Sequence, residues 1–450
     1  MVEAIANGIE DKLIDGLSFK MNPGASYVID RRSVTFHPQG SNIYKPSEGT
    51  KLIRILLTGD SWMDPSTLRV MYKLNNDSTD ANKNLRPLSG PWSFFRRMRI
   101  LAAGQLVEDI DQYNRIHEMM QVLIAHESRQ NDAAEAFGFE HDKHKSTTTA
   151  TEFKGIKKGE GMVVLFKPLS GLLNQSKMLP IRYAPITIEL ELVDDSSEPF
   201  YSVYSNESGA IKADNNETTA WSINNVQVKV DMCTLDNALD NSYAQHLLSG
   251  RSLPISYNTF VSQMQTIASQ DKVLINVSRA LTRLKSVFVT LVKGYDSASG
   301  RDVLKGRKAW NDFFSPMSGD NTTGTFTHNP NGEFEFQLQI GSKLFPEYPV
   351  RSHNEAYYQL KKTLGVQASA VHNFDITAVQ YRDYKFILGT DCEKVLDAGF
   401  TGLNTRAGDL MSVRFNYEKN ETNRLADRIH IVLHSDQILE IRDSGCTVFD

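Results

Sequence analysis

Cysteine is scarce in this chain. Cys233, Cys392 and Cys446 stand far apart among 450 residues, in no CxxC arrangement. Three thiols at that spacing neither frame a disulfide scaffold nor supply a zinc site, and they read as free thiols in a reducing compartment. Long apolar runs are also missing. Met162–Phe166 and Val287–Val292 are among the longest, and both are strand-sized, far short of the roughly 20 residues of a membrane-crossing helix. There is no basic surplus: 49 Lys and Arg against 54 Asp and Glu leave a formal net charge of -5, which offers no electrostatic footprint for nucleic acid. Catalytic signatures are absent too, with no Walker loop, no GxSxG and no dinucleotide fingerprint. The one approach to a zincin motif, His117-Glu118-Met119-Met120-Gln121, has Gln where the second histidine must stand, so His117 reads as a helix-face residue. No residue is therefore singled out as catalytic, cofactor-binding or metal-binding. The acidic start (Glu3, Glu10, Asp11, Asp15) does not fit a signal peptide. Without one, the seven Asn-x-Ser/Thr sequons, Asn206, Asn216 and Asn321 among them, read as chance matches.

What the chain does have is short alternating runs separated by turn chemistry. Apolar content is 40% and charged content 23%, ordinary for a globular protein. Between Tyr27 and Asn76 stand three runs: Arg32–His37, Lys51–Thr58 and Thr67–Leu74. Val34 and Phe36 oppose Ser33 and Thr35, and Leu68, Val70 and Tyr72 oppose Arg69, Met71 and Lys73, the period of half-buried strands. Pro65, within Trp62–Leu68, lacks a ladder donor and predicts a turn there. Further on, Ile186–Leu192 and Val226–Met232 alternate cleanly, as do Phe334–Ile340 and Ile429–His434. Strands are also predicted at Val273–Val277, Leu281–Val292, Lys385–Leu388 and Leu410–Tyr417. Pro346 and Pro349 are expected to stop the strand before them.

Helices are few. Ile5, Ile9, Leu13 and Leu17 recur at four-residue steps, predicting a short amphipathic arm. Asp109 to about His126 carries a helical face of Ile110, Tyr113, His117, Met120 and Ile124. Leu235–Gly250 ends on glycine, and Ser352-His-Asn-Glu355 is a capping box opening a helix to about Leu364. Polar excursions cover residues 127–160, 194–219 and 294–332. The first contains His141 and His144, which could bind a metal weakly but read better as a solvated loop tip. The last contains Trp310–Phe314, read as a packed loop. Arg96, Arg97 and Arg99 form no single patch and are expected to meet carboxylates across a sheet or subunit contact, not phosphate.

The length favours two domains, and each half orders strands, a helix and long loops over about 200 residues. Two tandem Greek-key sandwiches fit best. The fold class is thus all-β with a few short helices, in two sandwiches at 27–233 and 257–440; the family likeness set out next implies that these are two eight-stranded antiparallel jelly rolls. Residues 1–26 form an N-terminal arm, 234–256 a connecting helix and linker, and 441–450 a tail.

Three blocks also carry a family likeness: Arg31–Pro38 (RRSVTFHP), Ile43–Pro46 (IYKP) and Gly59–Leu68 (GDSWMDPSTL). A fourth, Tyr348–Gly365, and Gly389–Lys394 extend it into the second half. The sequence resembles the double jelly-roll major capsid proteins of tailless icosahedral double-stranded DNA viruses, in particular those of polinton-like viruses, adintoviruses and virophages. That resemblance implies a non-enzymatic structural protein of the virion, assembled inside the host cell. It further implies a homotrimer of hexagonal outline, with neighbouring capsomers, penton and minor capsid proteins as partners. An internal membrane reached by the N-terminal arm belongs to the same implication; direct nucleic-acid binding and cofactors do not. A glycan-binding or glycan-active sandwich is the alternative. It requires two carboxylates converging in a groove, with Asp60, Asp64, Glu189 and Glu191 as available acids, of which Glu189 and Glu191, on one strand face, read as ordinary solvent-side residues. A host structural or adhesion protein is weaker, for want of an export signal and disulfides.

Overall fold

The computed structural model describes residues 27–46, 51–81, 83–138, 155–200, 203–205, 211–213, 218, 220–268, 270–294, 308–317, 333–366, 374, 376–395, 401–406, 410–418 and 425–450. The arm at 1–26 and the pair His141/His144 lie outside these residues.

Sixteen strands carry the architecture. In the first half they are β1 Val28–Phe36, β2 Leu52–Leu57, β3 Trp62–Asn76, β4 Phe95–Ala102, β5 Gln105–Asp111, β6 Gly161–Phe166, β7 Ile186–Leu192 and β8 Trp221–Leu235. In the second half they are β9 Leu253–Thr266, β10 Lys272–Val277, β11 Leu284–Val292, β12 Phe334–Ile340, β13 Lys343–Val350, β14 Leu388–Asp391, β15 Met411–Tyr417 and β16 Arg428–Arg442. The first half pairs β1-β8-β3-β6 in one sheet and β2-β7-β4-β5 in the other. The second pairs β9-β16-β11-β14 and β10-β15-β12-β13, the same order displaced by eight strands. Every pairing within these four sheets is antiparallel. First strand beside last and third beside sixth is jelly-roll winding, so the chain is a double jelly roll. A final strand, β17 Gly445–Phe449, folds back on β16.

The alternation explains why these segments are strands. Along β2, Ile53, Ile55 and Leu57 are fully buried while Leu52 and Arg54 face out. In the first barrel Tyr72, Phe94, Phe95 and Phe166 pack edge-to-face and stacked across the core.

Among the described residues six α-helices decorate the barrels: α1 Tyr113–Leu123, α2 His126–Glu135, α3 Gly171–Asn174, α4 Asn237–Leu248, α5 His353–Thr363 and α6 Ala378–Asp383. In each half the first two stand between the fifth and sixth strands of the roll or their counterparts: α1 and α2 after β5, α5 and α6 after β13. Ser352 caps α5 by accepting from the Glu355 amide at 3.2 Å, while the Glu355 carboxylate takes the amide of Arg351. Gly365 closes α5 with φ +66°.

Four local expectations need correction. Pro65 does not make a turn; it sits inside β3, where the register jumps from Arg69↔Lys229 to Asp64↔Asp231. The bulge asks no ladder bond of Pro65, and the Thr67 hydroxyl accepts the Asp231 amide at 2.9 Å instead. Pro346 and Pro349 likewise lie within β13, at a sheet edge where a missing donor costs nothing. Asp109 and Ile110 belong to β5, so the helix starts four residues later than Asp109 and a second helix, α2, occupies the start of the supposed loop. Finally, the predicted strand Lys385–Leu388 lies at Leu388–Asp391, and the one ending at His434 continues to Arg442.

Candidate functional site: the seam between the barrels

The described residues hold no cluster of three or more His, Cys, Asp or Glu fit to bind a metal. What they do contain is an elaborately bonded seam between the two jelly rolls. Its centre is Arg115, in the first turn of α1 and 1% exposed. The guanidinium donates to the carbonyl of Ala309 at 2.6 Å and of Leu291 at 2.9 Å, and to the Thr290 hydroxyl at 2.9 Å. It also stands 4.7 Å from the ring centre of Phe313. All these partners belong to the second barrel, so a helix of one roll is locked onto β11 and the 308–317 loop of the other. A planar five-donor fork suits several fixed carbonyls better than an ammonium does.

A second set of bonds joins β5 to β9. The Tyr257 hydroxyl lies 3.2 Å from the Val107 carbonyl and 2.8 Å from Gln437 Oε1. Ser262 donates to the Asp111 carbonyl at 3.2 Å. Between them Glu108, 1% exposed, accepts from the Gly171 amide at 3.0 Å, from the Ser170 hydroxyl and from Thr259. Burial pushes the Glu108 carboxyl up to about 6 against those donors, which favour the charged form. Gly171 faces β9 so closely that a Cβ would sit 1.4 Å from the Asn258 carbonyl oxygen. At the far side of α1, Trp310 donates to the Glu198 carbonyl at 2.9 Å. Burial, then Asp195, lift the Glu198 carboxyl to about 7, although Asn114 bonds it.

On the second barrel's side of the seam, β16 is buried on both faces. Ile429, Ile431 and Leu433 fill its own core, while His430 and Val432 are also fully buried. Neither ring nitrogen of His430 has a hydrogen-bond partner among the described residues. Burial, with Arg115 and Arg428 nearby, holds His430 well below the ordinary histidine value, so the ring is neutral.

The residues singled out from the sequence fall as follows. The three arginines of β4 and its start meet carboxylates as expected: Arg97 forks onto Asp109 at 2.7 and 2.6 Å, Arg99 reaches Glu189 at 3.0 Å and Arg96 reaches Asp194. Trp310, Phe313 and Phe314 are a packed loop. His117 stands on α1 as expected of a helix-face residue, buried and stacked 4.3 Å from Trp92. Glu189, expected on the solvent side, is instead 8% exposed and shared by Arg54 and Arg99. Asp64 is held by Arg31 at 2.7 Å and by Ser66. Asp64 on β3 and Glu189 on β7 stand in different sheets, each consumed by ion pairs, so they do not form the convergent pair that glycan chemistry needs. Arg115, Glu108, Glu198 and His430 were not visible in the sequence. The only hint was a polar residue on a helix otherwise fit for burial.

No family description matches the sequence, and no curated protein does. Solved structures do match. PBCV-1 VP54, as fitted into a reconstruction of the virophage Sputnik, aligns with a TM-score of 0.60 at 11% identity over 96% of this chain and 100% of that one. The Faustovirus major capsid protein gives 0.57 at 10% identity over 95% and 94%. A chain of the Sputnik virophage structure determined by cryo-EM gives 0.57 at 10% over 96% and 90%. At such identities the likeness establishes the fold, and it covers both barrels.

Proposed function

We propose that this chain is the major capsid protein of an icosahedral double-stranded DNA virus, acting as a structural unit and not as an enzyme. Three copies close into a capsomer whose six barrels give a hexagonal outline. Residues 27–233 and 257–440 supply the two barrels, joined by 234–256, with 1–26 and 441–450 as terminal extensions. Partners follow from that role: neighbouring capsomers, penton and minor capsid proteins, and an internal membrane beneath the shell.

One observation carries the reading. In the first barrel, α1 is buried along nearly its whole length, packed on Trp92 and β4 of its own barrel and held through Arg115 to the second. Its counterpart α5, in the same place in the second barrel, buries only Ala356 and Leu360. Tyr358 on α5 is 57% exposed and Tyr348 on β13 is 79% exposed. The surface that makes the seam in one half is thus open in the other. A second chain presenting its first barrel would cover it, and repetition of that contact closes a ring.

Size-exclusion chromatography with light scattering, followed by negative-stain imaging, tests this. The expected species is a trimer of the 50.6 kDa chain with a hexagonal outline. Tyr348→Glu with Tyr358→Glu is expected to yield folded monomers. A wild-type monomer, or a variant that still forms trimers, would overturn the reading.

A further inference from the structure

We infer that the apolar face of residues 5–17 docks, within its own chain, in a groove beneath the connecting helix α4. Four observations converge on it. First, α4 is poorly covered for a helix with six apolar residues among twelve: only Leu247 is buried. Second, the space beneath it is a groove of about 450 Å³ walled by Trp62, Met178, Leu235, Leu239, Tyr243 and Leu253. Trp62 and Tyr243, 4.7 Å apart between ring centres, form its aromatic end. Such a volume lined this way leaves apolar surface in water unless something fills it.

Third, the chain enters the described residues beside this groove. The carbonyl of Tyr27 accepts the amide of Asp236 at 2.9 Å, one residue from Leu235 and three from Leu239. Residues 18–26 separate Leu17 from Tyr27, and nine residues span at most about 30 Å. That tether keeps Ile5, Ile9, Leu13 and Leu17 near the groove at high effective concentration. Fourth, the charges match. Residues 1–17 carry Glu3, Glu10, Asp11 and Asp15 against a single Lys12. In the groove wall Lys177, whose ammonium donates to the Pro254 carbonyl at 2.9 Å, meets no carboxylate among the described residues. An arm docked by its four-residue apolar steps would turn its acids away from the groove floor, and Lys177 lines the groove wall.

The groove lies where the two barrels are joined, since β9 begins at Leu253 and β8 ends at Leu235. A docked arm would therefore brace this joint. The occupant is the chain's own arm. A neighbour's arm, or a lipid surface that draws the arm away, is a competing outcome.

The test uses the full chain with a photo-crosslinking benzoylphenylalanine in place of Leu13, mapped by mass spectrometry on the purified protein. Crosslinks to 177–180 and 235–243 within a single chain mass are expected. As a second measurement, Ile9→Asp with Leu13→Asp, which alters only the arm, is expected to raise amide hydrogen exchange across 237–248 at least tenfold. Crosslinks that double the chain mass, crosslinks elsewhere on the barrels, or unchanged exchange in α4 would each overturn the proposal.

Discussion

Replacing Arg115 with alanine is the most direct way to ask whether the two barrels form one cooperative body. The substitution strips donors from four bonded acceptors, the carbonyls of Ala309, Leu291 and Asp312 and the Thr290 hydroxyl, all in a region closed to solvent. Each orphaned buried acceptor costs about 1–3 kcal/mol before relaxation, and the cavity adds to that. Water entering the vacated space recovers part, so the net loss is about 4 kcal/mol. For a barrel of this size 1 kcal/mol moves the melting temperature by roughly 2–4 °C, so a shift of roughly 10 °C is expected. Differential scanning calorimetry should show the single transition broaden or split as the barrels uncouple. Hydrogen exchange should rise first at 308–317. Arg115→Lys keeps the charge but not the fork, and is expected to lose about half as much. A loss under about 1 kcal/mol, with exchange at 308–317 unchanged, would falsify the view that this guanidinium holds the seam.

Other perturbations of the seam have signs that can be worked out. Gly171→Ala places a methyl on the Asn258 carbonyl and is expected to prevent correct docking of the barrels; Gly59→Ala, whose Cβ would meet only Ile181 at an ordinary 3.7 Å, serves as a control expected to fold, with circular dichroism and melting as readout. Glu198 has a folded-state value raised from 4.5 to about 7, so its stabilising contribution is complete below about pH 4.5 and lost as pH rises through 7; Glu198→Gln should flatten that slope by about 2 kcal/mol in denaturant titrations at pH 5 and 8, after a discount for partial exposure. An identical slope in wild type and variant would count against the assignment. His430 behaves oppositely, since its value is lowered: its contribution is present above 6.5 and fades as pH falls. His430→Leu removes two unpartnered nitrogens and should stabilise the protein by about 1 kcal/mol at pH 7, and more at pH 5; equal or lower stability at pH 5 would refute it.

The strands could be read from the sequence wherever one face alone was buried. Leu52–Leu57 and Lys272–Val277 alternate because water lies on their other side, and strands stand there as expected. The misreadings share one cause, which is that tolerance depends on neighbours far along the chain. Pro65 is acceptable because Thr67 supplies the missing acceptor to Asp231, 164 residues away. Pro346 and Pro349 are acceptable because β13 has a partner on one side only. Ile110 falls in phase with Tyr113 and His117, so a strand end and the helix after it looked like one helix. The seam was invisible for the same reason. Arg115 meets partners 175, 176 and 194 residues later, and no local period marks such a contact. The resemblance of the quoted blocks led to the double jelly roll where spacing alone reached only tandem sandwiches.

The two halves share a winding but not an environment, and that difference bears on assembly. The first barrel meets its sibling through β5 and α1, while the second meets it through β9 and the outer face of the β16 sheet. These are different surfaces, so the contact is head-to-tail. Each barrel then has one face used and one left over. On the first barrel the unused face is the β1-β8-β3-β6 sheet, where β1 is exposed along most of its length and Asn225 and Lys229 of β8 face solvent. On the second it is the side of β13 and α5. If one chain's second barrel meets the next chain's first barrel much as the two meet within a chain, each step turns by a similar angle. Six similar steps close a ring when that angle is near 60°, whereas any other value gives a different ring or an open spiral. Duplication inside one chain makes alternate steps covalent, which halves the number of contacts that must form by collision. The same covalent joint lets the internal seam be tight and specific, as Arg115 and Gly171 show, whereas in the proposed ring the external contact would draw on exposed residues such as Tyr348 and Tyr358.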